Sequence, residues 1–181
     1  MIGRIAKGTF HLIGWKLVGR FPQDIDHLIL IVAPHTSNWD FPLGILVKFW
    51  LNIEATYYAK VSLFKWPLGA ILKSLGGRPV DRSKNQNIVS AAVEDFRNNK
   101  KHRILITPEG SRKRSDKFKT GFYYIAVESG AGVLPITFDY ERKEIRIMPL
   151  KYMRGDGPSE IKQIRNLFKG IKGKNPKDSV F

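Results

Sequence analysis

Residues 28–42 read LILIVAPHTSNWDFP, an apolar run followed by a polar segment and then by a proline. The run from Leu28 to Ala33 is continuous rather than alternating, which is typical of a strand that is buried on both faces of a sheet. Pro42 suits the first turn of a helix, which we expect to reach about Ile53. This order of strand, polar loop and helix predicts an α/β protein.

The rest of the chain alternates short strand patterns with helical ones. We expect further strands at 55–59, 78–80, 104–107, 133–140 and 144–148, the last two paired around a charged turn. We expect further helices at 67–75, 85–98, 121–129 and 158–168. The alternation predicts one layered α/β domain over residues 1–181, with a mainly parallel central sheet flanked by helices. Residues 173–181 are typical of a loose tail.

The N-terminal stretch, residues 1–21, predicts an amphipathic helix. Its apolar stripe consists of Ile2, Ala6, Phe10, Ile13 and Leu17. Its polar face carries Arg4, Lys7 and His11. This pattern favours a helix lying in a membrane interface with Trp15 at headgroup depth, and a helix packed on the protein core is the alternative. A membrane-spanning helix needs roughly 20 apolar residues, and these basic residues interrupt the stretch.

Composition limits the class of protein. The 181 residues are 43% hydrophobic, enough to bury one sizeable core. There are no cysteines, which excludes disulfides, thiolate nucleophiles and cysteine-based zinc sites. The formal net charge of +15 attracts polyanions, namely nucleic acid, anionic lipid or phosphorylated substrates. Charge alone does not choose among these.

The polar segment after the first strand contains a candidate catalytic pair, His35 and Asp40. In open α/β sheets, ligands bind at the carboxyl ends of the strands. Residues five apart do not face each other on a helix, so the two side chains meet only in a loop. Pro42 supports a loop because it disfavours helical geometry at the residue before it. Asp40 would then fix the imidazole tautomer while the other ring nitrogen takes a proton from a hydroxyl. The alternative is a helix-capping turn in which His35 is incidental.

A second cluster, GGRPVDR at residues 76–82, ends in Arg82. The planar guanidinium suits a phosphate, although a surface arginine paired with Asp81 explains the pattern equally well.

A third cluster, TPEGSRKR at residues 107–114, follows the strand at 104–107. Gly110 would let the backbone approach a ligand closely, and the neighbouring cations would hold negative charge. Ser111 is not expected to be a hydrolase nucleophile, since the chain has no Gly-x-Ser-x-Gly elbow. A solvated basic loop is the alternative.

Taken in order, these clusters resemble the motifs of the glycerolipid acyltransferase family, which includes 1-acyl-glycerol-3-phosphate acyltransferases. The four blocks are HTSNWD at 35–40, VDR at 80–82, PEGSR at 108–112 with FKTG at 118–121, and LPI at 134–136. They cover the catalytic core, residues 28–140. The ordered set is far more specific than any one block.

The resemblance implies transfer of a fatty acyl group from acyl-CoA or acyl-carrier protein to a hydroxyl of a lysophospholipid, without a covalent enzyme intermediate. His35 would be the general base and Asp40 would orient it. The implied acceptor-binding residues are Arg82, Glu109, Gly110, Ser111 and Arg112. No metal and no cofactor beyond the acyl donor is implied. Pro34, Thr107 and the Arg78-Pro79 pair depart from the family pattern, so a different lipid alcohol is an alternative acceptor.

The expected partners are therefore a lipid acceptor, an acyl donor and an anionic membrane surface. We expect the protein to be cytoplasmic and peripheral on the inner face of the membrane. The predicted helix at 158–168 supports this with a basic stripe opposite its apolar side. The rival class is a basic nucleic-acid-binding module. The chain lacks helix-turn-helix, zinc-finger and RNP signatures, so no nucleic acid is expected.

Overall fold

The computed structural model describes residues 1–80, 88–115 and 117–179. Within them, seven strands form one sheet in the order β1-β7-β6-β2-β5-β3-β4. The strands are β1 (Lys16–Val18), β2 (His27–Ala33), β3 (Thr56–Lys60), β4 (Gly77–Val80), β5 (His102–Ile106), β6 (Gly132–Asp139) and β7 (Glu144–Ile147). Only the β6–β7 pair among them is antiparallel. The predicted mainly parallel sheet is confirmed.

Helices cover both faces of this sheet. They are α1 (Ile2–Leu12), α2 (Asp40–Trp50), α3 (Leu68–Ser74), α4 (Ile88–Asn98), α5 (Gly121–Ser129) and α6 (Pro158–Asn166). The three-layer arrangement is the one that the alternation of strands and helices predicted. The helix expected at 85–98 is described from Ile88 onward, because residues 85–87 lie outside the described ranges.

Strand β2 lies at the centre and explains why its sequence is apolar throughout. Ile29, Ile31 and Ala33 belong to one buried cluster, which includes residues of α4, α5 and α6. Leu28, Leu30 and Val32 belong to the other, which includes residues of α1 and α2. Successive side chains of a strand point to opposite faces, so a strand buried on both sides has no polar position. The segment after Ala33 therefore begins at the carboxyl end of the central strand, in the middle of the sheet.

The predicted helix over residues 1–21 is wrong in its length. Helix α1 ends at Leu12, Gly14 follows with a left-handed φ of +79°, and the chain then forms the edge strand β1. Trp15, expected at headgroup depth, is only 6% exposed and packs edge-on against the ring of Tyr140. Within the predicted stripe, Ala6 and Phe10 are buried in the core. The core-packing alternative therefore holds for this part of the helix.

The prediction of a loose tail over residues 173–181 is also wrong for its described part, residues 173–179. The backbone amide of Gly173 donates to the Ser179 hydroxyl (2.9 Å), and Ser179 is buried. The Asn175 side-chain amide donates to the Thr36 carbonyl at 2.8 Å. A Cβ added at Gly173 would come within 2.5 Å of the Thr36 hydroxyl oxygen, so glycine permits this close approach. The C-terminal segment, residues 173–179, is thus packed against the loop that follows β2.

Among the described residues, no helix has the length and apolar character needed to cross a bilayer.

Candidate active site at the carboxyl end of the sheet

His35 and Asp40 meet where the loop after β2 enters α2, the geometry that their five-residue spacing requires for contact. The His35 Nδ1 atom lies 2.8 Å from Asp40 Oδ2. The His35 side chain is 21% exposed and that of Asp40 only 3%. We assign the proton between them to Nδ1, because a carboxylate accepts; the lone pair is then on Nε2. A partly exposed imidazole with a buried carboxylate behind it is the arrangement of a general base and its orienting group.

Three further donors hold the Asp40 carboxylate. The backbone amides of Thr36 and Ser37 each donate to Oδ2 at 3.1 Å. The Tyr140 hydroxyl, one residue beyond β6, donates to Oδ1 at 2.7 Å. Burial, followed by the hydrogen bond and charge of Asp40, raises the pKa of the Tyr140 hydroxyl, so it remains a donor at neutral pH. Every contact favours one orientation of the carboxylate, and therefore of the imidazole.

Glu109 lies behind the same loop, brought there by β5, which runs parallel to β2. It is 5% exposed, and its Oε2 accepts the backbone N–H of His35 at 2.8 Å. Its Oε1 is buried without a hydrogen-bond partner among the described residues. Burial raises the Glu109 pKa to about 7, against the lowering effects of the His35 amide and ring. The structure thus shows Glu109 positioning His35, and its predicted contact with the acceptor remains a prediction.

The other predicted binding residues lie in the exposed loop that follows Glu109. Gly110 has φ +70°, the left-handed conformation that favours glycine. Ser111 and Arg112 are exposed at the same edge of the sheet as His35. Arg82 lies outside the described residues. The substrate-binding roles of these residues remain predictions.

An apolar surface, which we call the apolar rim, lies on this edge of the sheet. Strand β3 runs parallel to β5, so the segment after its last residue emerges beside the site. The ring of Phe41 contacts that of Tyr57 on β3, with centroids 5.6 Å apart. The exposed members of the rim are Trp39, Phe41, Val61, Leu63, Trp66, Leu68 and Ile71. Trp66 is the most exposed of them, at 89%.

Sequence reasoning missed Tyr140 and Asn175, which both reach the catalytic loop. Tyr140 had a usable signal, since it is the last residue of the strand predicted at 133–140 and polar groups at the carboxyl ends of strands belong at the ligand-binding edge. Asn175 had none, because its contact with Thr36 spans 139 residues of sequence. In the described part of the chain, no cluster of three or more His, Asp or Glu side chains is arranged for a metal.

The acyltransferase family model matches residues 18–139, which include the His35–Asp40 loop and the loop of Glu109. The chain therefore belongs to the acyltransferase family.

Two similar proteins carry names from the glycerolipid branch that the four motifs resemble. The 1-acyl-sn-glycerol-3-phosphate acyltransferase of Escherichia coli K12 is 26% identical in an alignment of 155 residues that covers 81% of this chain. The chain spans 60% of that relative's length. The crystal structure of the 1-acyl-sn-glycerophosphate (LPA) acyltransferase PlsC of Thermotoga maritima superposes with a TM-score of 0.61 at 20% identity. That match covers 92% of this chain and 75% of the other, and it supports the fold.

Proposed function

We propose that the protein transfers a fatty acyl group from a thioester, acyl-CoA or acyl-carrier protein, to a hydroxyl of a lysophospholipid such as 1-acyl-glycerol-3-phosphate. The observation that carries this proposal is the 2.8 Å contact between His35 Nδ1 and Asp40 Oδ2 at the carboxyl end of the central strand. The name of the Escherichia coli relative supports this choice of acceptor.

The reaction needs one base and no covalent enzyme intermediate. His35 Nε2 takes the proton of the acceptor hydroxyl as its oxygen attacks the thioester carbonyl. The imidazolium that forms is stabilised by the Asp40 carboxylate. The C–S bond then breaks, and the thiolate takes the proton back from His35. The product is an ester and the free thiol of the donor, and His35 is regenerated.

Electrostatics supports a phosphate on the acceptor. Ser111 and Arg112 are exposed beside two further cations, Lys113 and Arg114, at the edge where His35 lies. A guanidinium binds phosphate through two parallel hydrogen bonds. The amides of His35, Thr36 and Ser37 are engaged by Glu109 and Asp40, so they hold the loop rather than the oxyanion. We infer that other donors stabilise the developing negative charge.

The apolar rim is the surface that we propose contacts an anionic membrane. It carries Lys60, Lys65 and Lys73 among its exposed apolar side chains, a combination that favours an anionic interface. Helix α1, the surface expected from the sequence, is less suitable. A Cβ at Gly3 would meet the Phe49 carbonyl near the end of α2. Since α2 starts at Asp40 and is roughly 16 Å long, α1 begins far from His35.

The deciding experiment is an acceptor screen read by mass spectrometry. Labelled acyl-CoA and acyl-carrier protein are each offered with 1-acyl-glycerol-3-phosphate, a lysophospholipid without a free phosphate, and a simple long-chain alcohol. We expect product from the phosphorylated acceptor with the native protein and none with His35→Ala. Product from the other alcohols alone would replace the acceptor class, and no transfer in any arm would contradict the proposal.

The rival function is tested by co-sedimentation. We expect binding to anionic liposomes and weaker binding to duplex DNA at matched ionic strength. The reverse order, together with an inactive screen, would favour the nucleic-acid-binding module.

A further inference from the structure

Two side chains from outside the sequence motifs reach the loop of residues 34–40. Tyr140 donates its hydroxyl hydrogen to Asp40 Oδ1 at 2.7 Å. Asn175 contacts Thr36 twice, through its side-chain amide at 2.8 Å to the carbonyl oxygen and through its backbone N–H at 3.1 Å to the hydroxyl. Thr36 is 2% exposed and donates its own N–H to Asp40. Tyr140 therefore contacts the carboxylate that orients His35 directly, whereas Asn175 contacts a residue that donates to it.

We propose that Tyr140 and Asn175 are positioning residues for acyl transfer, and that the C-terminal segment 173–179 is a brace for the catalytic loop. This inference rests on the proposed function for its kinetic consequences. Neither residue needs to touch a substrate, because both act through Asp40. The loop is thus held from three sides: by Glu109 after β5, by Tyr140 after β6, and by the C-terminal segment.

The contacts of Tyr140 allow the role of its hydroxyl to be tested separately from the role of its ring. Trp15 packs edge-on against the ring at a centroid distance of 4.8 Å. The backbone N–H of Tyr140 donates to the Lys172 carbonyl at 2.8 Å. Phenylalanine would keep both of these contacts and lose only the hydrogen bond to Asp40. Tyr140→Phe is therefore a clean test of the hydroxyl.

The brace, together with the preceding residue Lys172, also joins separate parts of the site. Lys172 forms an ion pair with Glu141 in the turn after β6. The Lys174 ammonium lies over the ring of Trp39, 4.5 Å from its centroid, beside the catalytic loop. Asp178 accepts the backbone N–H of Arg114 at 3.3 Å in the basic loop. A segment that contacts three loops around one imidazole is well placed to fix their relative positions.

For Tyr140→Phe we expect kcat to fall about 10-fold or more, since a hydrogen bond to a charged group contributes about that much. Both KM values stay near those of the native protein, because the hydroxyl contacts no substrate. The pH profile shifts as well. The charged groups that face the imidazole are Asp40 from its own loop and Glu109 from behind, with Lys174 beyond Trp39.

An Asp40 carboxylate with one donor fewer holds the imidazole proton more strongly. The acidic limb of kcat/KM therefore moves to higher pH. A purely structural tyrosine would lower the melting temperature without moving that limb.

For Asn175→Ala we expect a smaller fall in kcat, about 3- to 10-fold, because a neutral hydrogen bond is lost and the backbone bond to Thr36 remains. Each variant has a matched control. Tyr123→Phe removes another buried tyrosine hydroxyl, which accepts the backbone N–H of Gly157 at 2.7 Å. Asn99→Ala removes another hydrogen bond from a side-chain amide to a backbone carbonyl, that of Asp95, at 2.7 Å. Both controls are expected to keep the native pH profile.

A measurement without turnover separates this inference from the proposed function. Titration of the His35 ring nitrogens by NMR is expected to shift to higher pH in Tyr140→Phe and to stay unchanged in Tyr123→Phe. A shifted titration together with an inactive acceptor screen would support the positioning role of the brace and contradict the proposed acyl transfer. A folded Tyr140→Phe variant with native titration, kcat and pH profile would overturn the brace.

Discussion

The loop that carries His35 and the loop that carries Arg112 follow adjacent parallel strands, yet the protein holds them differently. In the first, the amides of three successive residues and the Asp40 carboxylate have partners within the protein. In the second, the four residues from Ser111 to Arg114 are exposed. Under the proposed function, this difference divides the work of the site: the proposed general base is preorganised, whereas the cations proposed to bind the acceptor are exposed to solvent.

The largest effect is expected from removing the proposed general base, His35, from the rigid loop. His35→Ala is expected to reduce kcat by roughly 10² to 10⁴-fold, because general-base assistance generally contributes that much. Steady-state rates are measured on protein whose circular dichroism spectrum matches the native one. His11→Ala, an exposed histidine on α1, is the control. Near-native turnover by a folded His35→Ala variant would end the proposed mechanism.

A substitution in the exposed loop is expected to change KM rather than kcat. Arg112→Ala is expected to raise the acceptor KM about 10- to 150-fold, since a charge-assisted hydrogen bond contributes roughly 1.5 to 3 kcal/mol. The donor KM and kcat should change little. Arg97→Ala, exposed on α4 just before β5 and hence at the opposite sheet edge, controls for net charge. A rise confined to the donor KM would assign Arg112 to the acyl carrier, and Arg82→Ala tests the same choice for the second predicted arginine.

The two loops also differ in how far sequence could predict them. Local rules allowed two arrangements of His35 and Asp40, a catalytic pair or a helix-capping turn, because a buried strand, a five-residue spacing and Pro42 lie within one short segment. The ordered family motifs favoured the pair. The bounds of α5 were likewise predicted, since glycines stand at and just beyond its ends. Local patterns suffice where the contacts that decide the structure are close in sequence.

Errors arose where the deciding contacts are distant. The apolar periodicity of α1 continues past Gly14 to Leu17, although Leu17 lies on β1 beside Ile145 of β7. The C-terminal segment is polar and rich in lysine, and its order depends on Thr36 across the whole chain. The family resemblance placed Glu109 in the acceptor pocket, which remains a prediction. The sequence did not indicate its contact with the backbone N–H of His35, 74 residues away.

A third test concerns Glu109, which belongs to the PEGSR block at 108–112 and contacts the rigid loop of His35. The Glu109 pKa is raised from 4.5 to about 7 in the folded protein. The folded protein therefore retains a proton that the unfolded chain releases, and the resulting stability is present below about pH 4.5 and lost as the pH rises through 7. Glutamine is neutral at every pH and keeps an oxygen to accept the His35 N–H. Relative to the native protein, Glu109→Gln should thus gain about 3 kcal/mol in unfolding free energy between pH 4.5 and 8.

Urea denaturation at the two pH values measures this gain. Glu141→Gln, whose side chain is 57% exposed, is the control and should show little pH-dependent change. A difference between Glu109→Gln and the native protein that is the same at both pH values would show that Glu109 titrates normally. A rise in acceptor KM without any change in stability would place it in the acceptor pocket instead.

The smallest effect, and the last test of the comparison, concerns the surface beyond both loops. If the apolar rim contacts the membrane, Trp66→Ala combined with Leu68→Ala should weaken binding to anionic vesicles by about 3- to 10-fold. Full burial of one such side chain is generally worth about 1.5 to 3 kcal/mol, and an interface buries it only in part.

The matched control is Ile2→Ala combined with Ile5→Ala on α1, whose side chains are 64% and 62% exposed. Co-sedimentation with vesicles of phosphatidylglycerol and phosphatidylcholine measures both variants. A loss confined to the α1 variant would restore the membrane role predicted from the sequence, and native binding by both would remove the apolar contact from the proposal. A loss confined to the rim variant would place the bilayer at the sheet edge where His35 is exposed, so that a lipid hydroxyl reaches the base without leaving the interface.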